Sequence, residues 1–195
     1  MAAREHPATP RASGASRPHD SASASRCFVA IFPDPAAGEQ LDALALSVQK
    51  DHVGSRRMQR DQLHLTLAFI GPLVQERAEQ VARMLDAMPG DPFFWTIDRV
   101  GGFERARVLW AGGESEPRLI TLARIVRLRL DAEAVNYDRK PFSAHVTLLR
   151  HITHVSAFPL DAPILWQVTR PRLVVSERSV QGQMQYRCWD EQRLR

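Results

Sequence analysis

The chain is poor in cysteine and has no long hydrophobic run. Only Cys27 and Cys188 occur among its 195 residues, so there is no disulfide framework and no CxxC or Cys/His spacing for zinc. A reducing cytoplasm is the expected compartment. No apolar stretch approaches the roughly 18–20 residues that cross a bilayer, so no membrane attachment is expected. Residues 1–26 contain no Val, Ile, Leu or aromatic residue and are dense in Ala, Ser, Pro and Arg. Such a segment cannot bury enough surface to offset its ordering entropy and is expected to be a disordered tail. It also lacks the apolar centre of a secretory signal. An Arg- and Ser-rich transit peptide would suit its composition, but Glu5 and Asp20 argue against one. No signature of a serine or cysteine nucleophile is present, and neither HxxxH nor HxxE occurs to hold a hydrolytic zinc.

What remains is an ordinary globular composition, 44% hydrophobic and 25% charged, with a net charge of +4. This mild basicity suits an anionic partner such as RNA without requiring one. CFVAIFP, residues 27–33, reads as a strand, and Asp34 and Pro35 form an N-cap and first-turn pair for the helix marked by Leu41, Leu44, Ala45 and Val48. A basic loop with Arg56, Arg57 and Arg60 leads into the strand at 62–71, which Gly71 and Pro72 end. Val74, Ala78, Val81, Leu85 and Met88 then mark a second helix. FFWTIDRV and RVLWAGG read as strands joined by a turn at Gly101 and Gly102. A third helix carries Leu119, Leu122, Val126 and Leu130, and SAHVTLLRH, PRLVVSE and QMQYRCW are three closing strands. The order predicts an α+β fold of two related lobes, each a sheet backed by helices, within one domain spanning 27–195.

The informative feature is a repeat inside two of these strands. With 7 histidines and as many threonines, a shuffled chain would hold about 0.25 His-x-Thr triplets, and three occur. His64-Leu65-Thr66-Leu67 and His145-Val146-Thr147-Leu148 both lie in apolar strand context, 81 residues apart. The third, His151-Ile152-Thr153, is followed by His154, Val155 and Ser156, which break the apolar frame, and it reads as a decoy beyond a strand end. Strict alternation places His64, Thr66 and Ala68 on one face and Leu63, Leu65, Leu67 and Phe69 on the other.

If the two strands lie side by side, two imidazoles and two hydroxyls converge on one cleft. Phosphodiester cleavage uses that inventory. A neutral imidazole takes a proton from water while its protonated partner supplies one to the departing alkoxide, and a pKa near 6.5 permits both states around neutrality. A threonine about 6.6 Å further along the strand can donate to a non-bridging phosphate oxygen. No metal or other cofactor is needed.

These residues resemble a known family. The paired HxTx motifs look like those of the two-histidine phosphoesterases. R-x-F-V-A-I at 26–31, L-H-L-T-L-A-F-I-G at 63–71, R-V-L-W-A-G at 107–112 and P-F-S-A-H-V-T-L-L-R at 141–150 are similar to bacterial RNA 2′,3′-cyclic phosphodiesterases of the LigT-like, or 2′-5′ RNA ligase, type. The resemblance implies a bilobal, pseudo-symmetric, duplicated fold with a central cleft and metal-independent opening of RNA 2′,3′-cyclic phosphate ends, or nucleoside 2′,3′-cyclic phosphates, to 2′-phosphates. It casts His64 as general acid and His145 as general base, with Thr66, Thr147 and Arg150 on the phosphate. Separately, a monomer is expected. Ala144 departs from the usual proline before the second histidine, and the block around Tyr186 and Trp189 matches poorly. Two other readings are a non-catalytic RNA-binding module using the basic loop and the arginines of the third helix, and a two-histidine enzyme for another substrate. That substrate could be an ADP-ribose cyclic phosphate or a 2′-5′ oligonucleotide.

Overall fold

The Asp34 carboxylate starts the first helix by accepting from the backbone N–H groups of Ala36 and Ala37 at 3.0 and 3.1 Å, with Pro35 locked into the first turn. Its other oxygen accepts from Gln167 N at 2.9 Å, which ties the helix to a strand 133 residues away. A computed structural model describes residues 24–114, 116–179, 182 and 184–192. In chain order these form β1 (Ser25–Ile31), α1 (Pro35–Gln49), β2 (Arg56–Arg57), a 3-10 turn (Arg60–Gln62), β3 (Leu65–Leu73), α2 (Gln75–Asp86), β4 (Phe93–Phe103), β5 (Val108–Gly112) and α3 (Pro117–Ala132). They continue with β6 (Val146–Arg150), β7 (Phe158–Val168), β8 (Arg172–Arg178), β9 (Met184–Cys188) and α4 (Trp189–Gln192).

The strands make one sheet in the order β7-β4-β5-β6-β3-β1-β8-β9, with β2 paired to β6. It divides into β3-β1-β8-β9 and β6-β5-β4-β7, two four-stranded lobes that meet at a single antiparallel pair, Leu65 with Val146. Each lobe contains a strand-helix-strand unit, β1-α1-β3 or β5-α3-β6. Its helix packs beyond its own lobe: α1 lies against β6 and β7, and α3 lies against β3. Leu41, Ala45 and Val48 of α1 and Leu119, Ala123, Val126 and Leu130 of α3 are buried in the main core on that side of the sheet. Trp95 and Trp166, both fully buried, pack there with ring centroids 5.7 Å apart.

Several expectations are revised. The two expected lobes share one continuous sheet and are not consecutive in the chain, because β8 and β9 return to lie beside β1. Strand β7 is not legible in the sequence: Pro159, Asp161 and Pro163 hide its first half, and an edge strand tolerates prolines that a central one would not. The turn expected at Gly101 and Gly102 lies instead at residues 104–107, where Arg107 takes φ 53°. Gly101 stays within β4 because it pairs with Trp110, whose ring would sit 2.4 Å from a Cβ there. β1 starts at Ser25, two residues inside the segment read as tail, and residues 1–23 lie outside the described residues.

Gly101→Ala is expected to destabilise the fold by about 1–3 kcal/mol, as overpacking does, and to shift the indole of Trp110. Denaturant melts followed by tryptophan fluorescence check this; unchanged stability and spectrum would show that the close approach is not restrictive.

Candidate active site

His64 and His145 sit immediately before β3 and β6, the two strands that join the lobes. Continuing the Leu65–Val146 pairing by one residue each way sets His64 opposite Thr147 and Thr66 opposite His145. Directly opposed residues of an antiparallel pair point to the same face. All four candidates from the two motifs therefore gather on one face of the sheet, across the seam between the lobes.

Each ring is held the same way. His64 Nδ1 lies 2.6 Å from the carbonyl of Gln62, and His145 Nδ1 lies 2.8 Å from that of Ser143. A carbonyl can only accept, so Nδ1–H donates in both and each neutral ring keeps its lone pair on Nε2. Gln62 is itself fixed. Its amide donates to Met184 O at 2.6 Å, and its Oε1 accepts from Gln59 N at 3.2 Å. Aromatic rings complete the supports. Phe28 and Tyr186 lie 4.9 and 5.1 Å from the His64 ring, the latter edge-on. Phe103 lies 5.0 Å from His145, edge-on, with Trp110 at 6.4 Å.

Two cavities flank this centre. One of about 390 Å³ is lined by His64, Thr66 and Arg150 together with Arg26, Arg56, Phe28 and Tyr186. The other, about 410 Å³, is lined by Thr66, His145, Phe103, Phe142 and Lys140. Thr66 borders both. Arg150 pairs in register with Arg56, and neither forms an ion pair with a carboxylate among the described residues.

Both imidazoles are pushed below the ordinary histidine value. For His64 burial is the main cause, partly opposed by the Gln62 carbonyl and reinforced by the charges of Arg150 and His145; its pKa falls to about 4. Burial likewise lowers His145, against the pull of the Ser143 carbonyl and with Arg150 again lowering it. Both rings are thus neutral at pH 7 in the ligand-free protein. The Cys27 thiol, buried in β1, is pushed up to about 11 and is no nucleophile.

The strict alternation expected along β3 fails midway. Val29 pairs with Ala68 but Ala30 with Thr66, so Leu67 is an extra residue, and a second shift sits between Cys27 and Phe28. A bulge reverses the facing of the residues beyond it. Phe69 consequently lines the His64 cavity, where Phe28 stacks at 6.5 Å and the Arg26 guanidinium lies 4.9 Å from the Phe69 ring. The third triplet lies past the end of β6, with His151 exposed at φ 63°. Sequence reasoning misses Tyr186 and the cavity role of Arg56: one comes from a poorly matching block, and the other looks like any arginine of a basic loop. Nothing local in the sequence distinguishes them, because β2 and β9 reach the site through pairings with distant strands.

A two-lobed sheet with one motif histidine at the head of each seam strand defines the class of two-histidine phosphoesterases. The LigT-like phosphoesterase family model matches residues 31–110. The RNA 2′,3′-cyclic phosphodiesterase of Archaeoglobus fulgidus is 30% identical over 128 residues, 64% of this chain and 72% of that protein. The protein of the same name from Escherichia coli is 33% identical over 105 residues, 53% of this chain, and the match spans only 60% of that protein's length. The crystal structure of Escherichia coli LigT complexed with 3′-AMP superposes with a TM-score of 0.73 at 29% identity, covering 85% of this chain and 95% of that one. The chain belongs to the LigT-like phosphoesterase family.

In a proton-detected titration of the ligand-free protein, the His64 imidazole is expected to titrate near 4, well below a solvent-exposed histidine. A midpoint near the ordinary value of about 6.5 would show that burial and Arg150 do not act on the ring as described.

Proposed function

We propose that this chain is an RNA 2′,3′-cyclic phosphodiesterase that opens the cyclic phosphate at an RNA end to a 2′-phosphate, by paired-imidazole catalysis without a metal. The observation that carries the reading is the seam: two imidazoles, each with Nδ1 on a backbone carbonyl and no hydrogen-bond partner for Nε2 among the described residues, on one face of the sheet beside two threonine hydroxyls. Curated relatives from four organisms bear that name.

In this reading His145 Nε2 takes a proton from water as the water oxygen bonds to phosphorus. The P–O3′ bond breaks, and His64 Nε2–H gives its proton to O3′. Thr66 and Thr147 donate to the non-bridging oxygens, and Arg150 supplies a fixed cation against the charge that builds there. His64 must then gain its proton with the substrate. Burial and the Arg150 charge hold it neutral in the empty site; an anionic phosphate between the rings opposes that charge and raises both pKa values. With a ribose 5′-hydroxyl in place of water, the same attack forms a P–O5′ bond as P–O3′ breaks and leaves a 2′-5′ linkage; run backward, that step cleaves the linkage and closes the cyclic phosphate again.

A non-catalytic RNA-binding module is less well supported by the arginines it would use. Arg57 pairs with Asp42 and Arg60 with Glu39, both on α1. Arg127 donates to the carbonyls of Leu67 and Lys140, which secures α3 to β3. Both histidines and both cavities come from one chain, so we place activity in a monomer, and we place that monomer in the cytoplasm. No helix among the described residues is long and apolar enough to cross a membrane.

His64→Ala and His145→Ala are each expected to lower kcat on nucleoside 2′,3′-cyclic phosphates by on the order of 10² to 10⁴, with a chelator leaving the wild-type rate unaltered. Near-native turnover in either variant would end the proposal. Near pH 7, calorimetry of a phosphate-bearing product should show uptake of about one proton, read as a buffer-dependent enthalpy. The same effect moves the kcat–pH profile to higher pH than that of kcat/KM, since the substrate raises the imidazole pKa values. No buffer dependence would remove the acid role from His64.

A further inference from the structure

The cavity beside His64 holds more positive charge than a cyclic phosphate can use. Arg26, Arg56 and Arg150 all line it, whereas a 2′,3′-cyclic phosphodiester carries one negative charge, already met by Arg150 and the two threonine hydroxyls. Arg56 and Arg150 are register partners across β2 and β6. Like charges placed directly opposite destabilise a sheet, so the pairing invites an anion. The basic loop sharpens the point, because of its three arginines Arg57 and Arg60 are taken by carboxylates of α1. Among the described residues the Arg56 guanidinium donates only to the weak acceptor Met58 Sδ, at 3.7 Å. Arg26 rests on the face of Phe69 and forms no ion pair among the described residues.

Chemistry says which anion this is. If His64 protonates O3′, the ribose of the terminal nucleotide lies on the His64 side of the phosphorus, and in-line attack brings water from the His145 side. The ribose continues through C5′ to the next phosphate of the chain, which therefore falls within the arginine-lined cavity and not the cavity beside Phe142. The geometry points to Arg56, supported by Arg26, as the seat of this second phosphate. The site thereby prefers a polynucleotide end, or a nucleotide carrying a 5′-phosphate, over a bare nucleoside cyclic phosphate. Bidentate guanidinium contacts suit such a seat. The inference rests on the phosphodiesterase reading and on His64 as the acid.

Binding of reaction products tests it without requiring turnover. Calorimetry compares adenosine 2′-phosphate with adenosine 2′,5′-bisphosphate on the wild-type chain, Arg56→Gln and Arg26→Gln. The 5′-phosphate is expected to tighten Kd of the wild type by about tenfold or more, the worth of one charge-assisted contact. That gain should fall below about threefold in Arg56→Gln and decline partly in Arg26→Gln, each variant serving if the other does not fold. The ratio is the readout, whatever either substitution does to binding of the 2′-phosphate itself. A wild-type gain under about threefold, or one that survives both substitutions, overturns the second seat. Failure of the wild type to hydrolyse cyclic phosphates, measured separately, would instead overturn the phosphodiesterase reading.

Discussion

One backbone pairing, Leu65 with Val146, holds the site together. It is the only register contact between β3 and β6 among the described residues, and it lies one residue from each motif histidine. A longer shared ladder would flatten the two lobes into a continuous sheet. A single pair lets the strands diverge, so a cleft opens where the histidines stand while their relative position stays fixed. The crossed helices hold that geometry, since α1 and α3 each bury an apolar stripe beyond the lobe whose strands they connect. Separating the lobes would expose both stripes, at a cost of about 1.5–3 kcal/mol for each large side chain returned to water.

The duplication extends to the chemistry. In both lobes a carbonyl two residues earlier orients the ring, and in both an aromatic residue meets it edge-on. What breaks the symmetry is charge and depth. Arg150 depresses both imidazoles, but His64 is more heavily desolvated, with Phe28 and Tyr186 against it, and falls to about 4. The ring at the head of β3 is therefore the harder of the two to protonate in the empty site.

The arginines show why net charge is a poor guide to function. Many of those that make the chain basic act within the fold: Arg57 and Arg60 join the basic loop to α1, Arg127 joins α3 to β3, and Arg107 donates to the carbonyls of His151 and Ile152 beyond β6. Arg56 and Arg150 differ in their surroundings, not in type. They face a cavity wall bearing phenyl rings and hydroxyls instead of carboxylates.

The α+β class, the start of α1 at Asp34 and Pro35, and the motifs His64-x-Thr66 and His145-x-Thr147 are legible along the chain. These depend on local rules of capping, strand period and residue chemistry that operate over a few positions. Tertiary structure decided the rest. The bulge at Leu67 that turns Phe69 into the cleft depends on how β1 pairs with β3. The place of Gly101 within a strand depends on where the Trp110 ring lies, and the arrival of Tyr186 beside His64 depends on β8 and β9 crossing back to the first lobe. Each is a contact between separate strands, neighbours in the chain for Gly101 and Trp110 and distant in the other two cases, and no spacing within either strand encodes which surface it will meet.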